Sequence, residues 1–183
     1  LVRAHRVEDG LPESPDAEAW ETAEAAFVPL VGQVIETPRN FAPTVDGVWV
    51  RALHDGERLA LRLEWGDPSN SPDSTWNEWQ AKIVEALYHD GAELPATAGL
   101  SDGFAVQFPG EMPDGAERPY FLMGASNDPV TLWLWDSREG ASEVQGRGLG
   151  SVSPLDGSDL AASETWNGGH WEVVLTRSIA GAA

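Results

Sequence analysis

Cysteine is absent from this sequence of 183 residues, and lysine occurs once, as Lys82. Without cysteine the chain can hold no iron–sulfur cluster, no c-type haem and no thiolate zinc site, because each of these needs cysteine sulfur. Any cofactor would therefore be held by nitrogen, oxygen or thioether ligands. No hydrophobic run approaches the roughly 20 residues of a membrane-spanning helix, so the sequence predicts no membrane segment.

Basic residues are also few, with 11 against 30 acidic residues and a formal net charge of −19. Binding to nucleic acid or to an anionic membrane surface depends on clustered lysine and arginine, so both partners are excluded. An acidic surface instead favours a partner with a basic patch, because complementary charge speeds their encounter. No paired-carboxylate motif or His-x-His spacing indicates a hydrolase, and we interpret the abundant carboxylates as solvating the surface.

Tryptophan, glycine and proline are plentiful, with 9, 19 and 13 copies. Aromatic side chains suit the half-buried faces of strands, whereas glycine and proline mark turns. The segment DGVWVRALHDGERLALRLEW predicts a β-hairpin, because apolar residues alternate in its second run and HDGE carries an Asp-Gly turn signal. Further strands are predicted at GFAVQFP, PYFLMG, VTLWLWDS and HWEVVLTR. The sequence therefore predicts an all-β fold, an antiparallel β-sandwich.

Two segments depart from this strand pattern. Residues 1–44 are predicted to form an N-terminal arm that wraps the core, with a short helix that Asp16 caps and Trp20 anchors. Residues 45–183 are predicted to form the sandwich. Within them the segment STWNEWQAKIVEALY places apolar residues three and four positions apart, which predicts a short helical excursion between strands.

Four segments, in order, resemble the ethylbenzene dehydrogenase gamma-subunit family: VRALHDGERLALRLEW, DGFAVQFP, PYFLMGASNDPVTLWLW and GGHWEVVLTRSI. This family comprises the haem b subunits of periplasmic molybdenum enzymes of the DMSO reductase type, such as dimethyl sulfide dehydrogenase, selenate reductase and chlorate reductase. The resemblance covers most of the chain, from about Leu11 to Ile179.

The resemblance implies a β-sandwich with one haem b held without covalent bonds between the sheets and ligated by a methionine and a lysine. It further implies a periplasmic electron-transfer subunit that is not itself an enzyme. Such a subunit exchanges electrons with an iron–sulfur subunit beside a molybdopterin subunit, and with a soluble carrier such as a c-type cytochrome.

On this resemblance Met123 is the expected axial ligand of the haem iron, because the other methionine, Met112, lies in a turn-rich segment. A thioether binds low-spin haem iron and raises its potential, although methionine on a strand is otherwise core filler. Some relatives carry methionine at the position of Gln107, the alternative ligand position. The lysine of the family follows the segment resembling WEVVLTRSI. It is expected either beyond Ala183, in a C-terminal strand missing here, or replaced by another ligand.

Phe121, Trp133 and Arg177 complete the expected haem-binding residues. Trp133 shares a strand face with Trp135, which suits either a core or a haem wall. Arg177 could pair with a haem propionate, because a planar guanidinium suits a carboxylate, or it could close an ordinary surface salt bridge. The alternative function is that of a carbohydrate-binding module, the same β-sandwich without haem and with exposed tryptophans that form a sugar platform.

Overall fold

The computed structural model describes residues 1–32, 34, 41, 43, 45–68, 70, 101–110, 122–148 and 150–179. Regular structure in these residues is β except for one 3₁₀ helix, Glu18–Thr22. The strands are β1 (Ala4–Arg6), β2 (Ala26–Pro29), β3 (Gly47–His54), β4 (Arg58–Gly66), β5 (Gly103–Pro109), β6 (Val130–Asp136), β7 (Gly140–Gly146), β8 (Val152–Pro154), β9 (Ala161–Trp166) and β10 (His170–Ser178).

These strands form two sheets. The six-stranded sheet has the order β1, β3, β4, β10, β9, and β2 pairs with another part of β3. The four-stranded sheet has the order β5, β6, β7, β8. The all-β sandwich predicted from the sequence is confirmed. Among the described strands, the one pairing that is not antiparallel is the parallel pairing of β1 with β3.

The β3–β4 hairpin follows its predicted pattern. Its strands pair in antiparallel register, and its turn contains Gly56 with a φ of 102°, a conformation that glycine adopts without steric cost. Because side chains alternate between the two faces of a strand, Leu61, Leu63 and Trp65 all enter the core between the sheets. The alternation seen in the sequence therefore determines which face of the hairpin is buried.

Aromatic rings join the two sheets. Trp65 and Trp171 of the six-stranded sheet meet Phe104 and Trp135 of the four-stranded sheet, with ring centroids 5.0 to 5.8 Å apart. Aromatic pairs of this kind contribute about 0.5–1.5 kcal/mol each beyond the burial of their surface. Trp135 is 1% exposed, so this cluster is the centre of the inter-sheet core.

The N-terminal residues cover the outer face of the six-stranded sheet. Trp20 packs there against Leu53 and Val174 and is 1% exposed, so the prediction that Trp20 anchors a short helix is confirmed. The prediction that Asp16 caps this helix is wrong. The N-cap residue is Ala17, and no side chain bonds to the helix start, because Asp16 lies one position too early in the chain.

Several sequence predictions concern residues outside the described ranges. The predicted helical excursion lies outside them, as does the first half of the predicted strand PYFLMG. The described end of that segment is a turn, because Met123 has a φ of 61°, which strand residues do not adopt. The residues predicted as an arm contribute β1 and β2 to the sheet. No helix within the described ranges is long and apolar enough to cross a membrane.

Candidate functional site

Two neighbouring cavities lie between the sheets. The first, called here the inter-sheet cavity, has a volume of about 480 Å³ and is lined mainly by apolar residues such as Leu61, Val106 and Phe108. Its volume is within the roughly 300–1,000 Å³ of small-molecule sites. Among the described residues that line it there is no methionine, histidine or lysine. The inter-sheet cavity therefore offers an apolar wall without one of these iron ligands.

The second cavity, called here the end cavity, is more polar. It has a volume of about 520 Å³ and is lined by Trp133, Glu143 and Arg177, among others. Leu59 and Phe108 line both cavities, so the two spaces adjoin. An apolar compartment is thus continued by one that carries charged groups.

A buried ion pair forms the charged wall of the end cavity. Arg177 Nε donates to Glu143 Oε2 over 2.8 Å, and Ser158 Oγ donates to the same oxygen over 2.7 Å. Glu143 is 4% exposed, and its Oε1 has no hydrogen-bond partner in the described part of the chain. A carboxylate buried in this way needs a cation. Arg177 thus closes a buried salt bridge, whereas the sequence indicated either a haem propionate or a surface carboxylate as its partner.

Asp159 extends this charged wall toward solvent. Its Oδ1 lies 3.9 Å from Arg177 Nε, and the Ser178 hydroxyl donates to its Oδ2. The Ser178 hydroxyl is the main cause that lowers the pKa of Asp159 below its usual value, and the Ser178 backbone N–H and Arg177 add to the effect. The end of the sandwich therefore carries two carboxylates around one guanidinium.

Met123 lies on the opposite side of the four-stranded sheet, called here its outer face. The Met123 side chain packs against Val130, Leu132 and Val144, which are all buried. Leu132 and Trp133 are consecutive on β6 and so point to opposite faces, and Trp133 belongs to the core between the sheets. Met123 is accordingly absent from the described lining of both cavities.

The backbone of Met123 is strained and tightly held. Met123 is the one non-glycine residue with positive φ in the described part of the chain, a conformation that costs roughly 1–2 kcal/mol. Its carbonyl accepts from the N–H of Gly148 over 2.9 Å. A Cβ at Gly146 would lie 2.7 Å from that carbonyl oxygen, and one at Gly124 would lie 2.8 Å from the Asp128 carbonyl oxygen. Strain held by such surroundings is typical of functional sites.

Gln107 shares the outer face with Met123. It pairs with Leu132 across β5 and β6, and directly opposed residues of neighbouring strands point to the same face. Gln107 is also among the residues that line the inter-sheet cavity, because the edge strand that carries it borders that space. Both ligand positions indicated by the resemblance, Met123 and Gln107, are therefore on one face of one sheet. A haem ligated from either position would lie against that face.

The predicted site residues consequently fall into two groups. Met123 and Gln107 are on the outer face of the four-stranded sheet, whereas Trp133 and Arg177 line the end cavity on its inner side. Phe121 lies outside the described residues. The structure does not bring the two groups together around a single cavity.

Glu143 was missed by the sequence reasoning. It lies directly opposite Trp133 on β7 and therefore points into the core. The segment GASEVQG was not predicted to be a strand, because polar residues stand at its inward-facing positions. The signal that could have found Glu143 is its position beside VTLWLWDS after one short turn, which predicts hairpin pairing.

Met123 gives the outer face one candidate iron ligand, beside buried apolar residues. An apolar surface suits a porphyrin, and a thioether is one of the protein ligands that haem iron accepts. The fold and this face together define a β-sandwich with a candidate haem ligand in a strained turn. The chain belongs to the ethylbenzene dehydrogenase family, whose model matches residues 17–150.

Two relatives extend this similarity. A protein of Haloferax mediterranei, named as the heme subunit of a respiratory nitrate reductase, is 23% identical over 168 residues, which are 92% of this chain and 52% of that protein. The chlorate reductase subunit gamma of Ideonella dechloratans is 25% identical over 98% of this chain and 66% of its own length. The chain therefore spans between half and two thirds of these relatives.

Proposed function

We propose that this chain is an electron-transfer subunit that binds one haem b without covalent bonds and has no catalytic activity of its own. Family membership supports this proposal, as does the similarity to a protein named as a heme subunit. The sequence has no cysteine to form the thioether bonds of a c-type haem. The haem supplies reversible one-electron transfer, and the protein supplies an iron ligand, an apolar wall and a partner surface.

The Met123 turn is the observation that carries the proposal. A residue with positive φ that is not glycine costs free energy in the folded chain, and the glycines around it hold it in that conformation. Ligation of iron would account for this strain, because the turn holds the Met123 side chain against Val130, Leu132 and Val144 on the outer face. Met123 is therefore the proposed axial ligand, and the haem is proposed to contact this outer face.

The proposed partners are the iron–sulfur and molybdopterin subunits of a DMSO-reductase-type complex in the periplasm, with a c-type cytochrome as the soluble carrier. The names of the relatives, subunits of a nitrate reductase and a chlorate reductase, support a partner with reductase activity. The net charge of −19 suits a carrier with a basic patch. Electron exchange with a basic cytochrome c should then slow as salt rises from about 0.01 to 0.2 M. An electron-exchange rate that does not change with salt would show that the net charge does not support a carrier with a basic patch.

Haem binding is tested by reconstitution. The purified chain is mixed with haemin, freed of excess haem, and examined by the pyridine haemochrome assay and by its oxidised and reduced absorption spectra. One b-type haem per chain is expected. A chain that keeps its β circular dichroism but retains no haem would refute the proposal.

One feature favours the alternative, a carbohydrate-binding module. Trp49 and Phe27 are both about half exposed, and their ring centroids are 5.0 Å apart, which offers sugars an aromatic platform. Affinity electrophoresis in gels that contain soluble polysaccharides tests this function. Retardation that Trp49→Ala abolishes, in a chain that binds no haem, would support the alternative. Equal mobility of both proteins is the result that our proposal predicts.

A further inference from the structure

A polar cluster lies on the outer face of the six-stranded sheet, where β4 pairs with β10. Glu64 and Glu172 are directly opposed in this pairing, and His170 precedes Glu172 by two residues and so points to the same face. One donor atom from each of these three side chains lies within 4.8 Å of the other two. Directly opposed like charges destabilise a sheet, so this arrangement requires positive charge nearby.

Arg62 supplies part of that charge. Its Nη1 lies 3.0 Å from Glu64 Oε2, and its Nη2 lies 2.8 Å from Glu172 Oε2. The guanidinium thus contacts one oxygen of each carboxylate and leaves Oε1 of each to other partners. Two carboxylates and one guanidinium leave one negative charge unbalanced, and Glu172 is buried, where an unbalanced charge is costly.

One pair of these donor atoms, from His170 and Glu172, has the spacing of two ligands on one metal ion. His170 Nε2 lies 3.4 Å from Glu172 Oε1, farther than the roughly 2.7–3.2 Å of an ordinary N–H···O hydrogen bond. Two ligands about 2.0–2.2 Å from one tetrahedral zinc ion lie about 3.4 Å from each other. Asn167 Nδ2 lies 3.0 Å from the same His170 Nε2. An amide nitrogen only donates, so His170 Nε2 is the accepting nitrogen in this contact, and a bound metal ion would take the place of the Asn167 amide.

A cavity of about 300 Å³ adjoins the cluster and is lined by Glu64, His170, Asp46 and Trp49, among others. It gives a hydrated ion access and leaves space for a fourth ligand. We infer that Glu64, His170 and Glu172 form a binding site for a divalent transition-metal ion of the zinc type. This site is on the other sheet from the proposed haem ligand and does not depend on haem.

Zinc binding by the purified chain tests the site. Titration calorimetry should show one Zn²⁺ per chain and no comparable binding of Ca²⁺, which needs about 6–8 oxygen ligands. His170→Ala should weaken Zn²⁺ binding by more than about ten-fold, because even the outer partners of metal ligands contribute 10–100-fold. Glu64→Gln should weaken it in the same direction. The exposed His5→Ala is the matched control and should bind Zn²⁺ like the unaltered chain.

Imidazole NMR locates the ion among the four histidines of the chain. The ring signals of His170 should shift on addition of Zn²⁺, whereas those of His5 should not. Both His170 and Glu64 are partly exposed, so their variants are expected to fold, and circular dichroism verifies this. Absence of Zn²⁺ binding, or equal binding by the chain and by folded His170→Ala, would overturn the assignment.

Discussion

The two faces of the four-stranded sheet are both apolar and buried, but they differ in backbone strain. On the inner face Trp135 lies on a regular strand among other rings. On the outer face Leu132 and Val144 pack against Met123, whose φ is positive. Packing explains the inner face without further assumptions, whereas strain at a non-glycine residue calls for another cause. Backbone strain, more than burial, therefore distinguishes a candidate site from a packed core.

The largest effect is expected on the inner face. Trp135→Ala should lower the free energy of unfolding by about 3–5 kcal/mol, because it removes a buried ring from the centre of the core. Urea unfolding of the haem-free chain measures this change. Trp135→Phe is the control and should cost less, since it keeps a ring and removes an indole N–H that has no hydrogen-bond partner among the described residues. A folded Trp135→Ala chain that loses haem would reverse our assignment of the two faces.

A similar loss of folding stability is expected when the ion pair of the end cavity is broken. Arg177→Met should cost about 3–5 kcal/mol, because it leaves the Glu143 carboxylate buried without its cation. The double variant with Glu143→Leu should recover most of this stability, as apolar replacements of buried ion pairs commonly do. The urea unfolding midpoints of the unaltered chain, of Arg177→Met and of the double variant measure these changes in stability. The haem spectrum should be unchanged in folded Arg177→Met, and a changed spectrum would instead support a propionate contact for Arg177.

Much of the fold could be predicted from the sequence, because alternation reports burial directly. In the β3–β4 hairpin, β6 and β10, apolar residues occupy the inward positions, and these strands lie where the pattern placed them. β7 was missed because Glu143 and Gln145 face inward, and a buried carboxylate such as that of Glu143 is stable there because a distant cation, Arg177, neutralises it. A pairing between residues 34 positions apart leaves no local signal.

The candidate site could be predicted only in part. The resemblance selected Met123 and Gln107, but it did not indicate that they share the outer face of the sheet, since that depends on the β5–β6 register. The positive φ of Met123 could not be predicted from the sequence either. It arises from contacts with Gly146 and Gly148, which follow Met123 by more than 20 positions in the sequence.

Strain at Met123 can be measured directly in the haem-free chain. Met123→Gly should be more stable than Met123→Ala by about 1 kcal/mol, because glycine adopts positive φ without the steric cost that alanine pays. At a position with negative φ the alanine variant is the more stable of the two, since alanine loses less conformational entropy on folding than glycine does. Thermal or urea unfolding of the two variants gives the difference. If Met123→Ala is the more stable, Met123 is not strained and the comparison of the two faces loses its basis.

The smallest effect concerns acid stability at the end cavity. The pKa of Asp159 is lowered, chiefly by the Ser178 hydroxyl, so its contribution to stability is complete above about pH 4 and is lost as the pH falls through the folded-state value. Asp159→Asn should therefore reduce the loss of stability between about pH 5 and pH 3, by less than about 1 kcal/mol for this half-exposed group. The exposed Asp156→Asn is the control and should retain the full acid dependence.

The central claim is that Met123 ligates the haem iron from the outer face of the four-stranded sheet. The decisive measurement is the absorption spectrum and reduction potential of the haem-loaded chain beside those of Met123→Ala, Gln107→Ala and Met112→Ala. The account predicts altered Soret and α bands and a lower potential in Met123→Ala, because a thioether raises the potential of haem iron, and an unchanged spectrum in Met112→Ala. An unchanged spectrum and potential in Met123→Ala, together with an altered spectrum and potential in Gln107→Ala, would contradict this assignment. The iron ligand would then lie on β5.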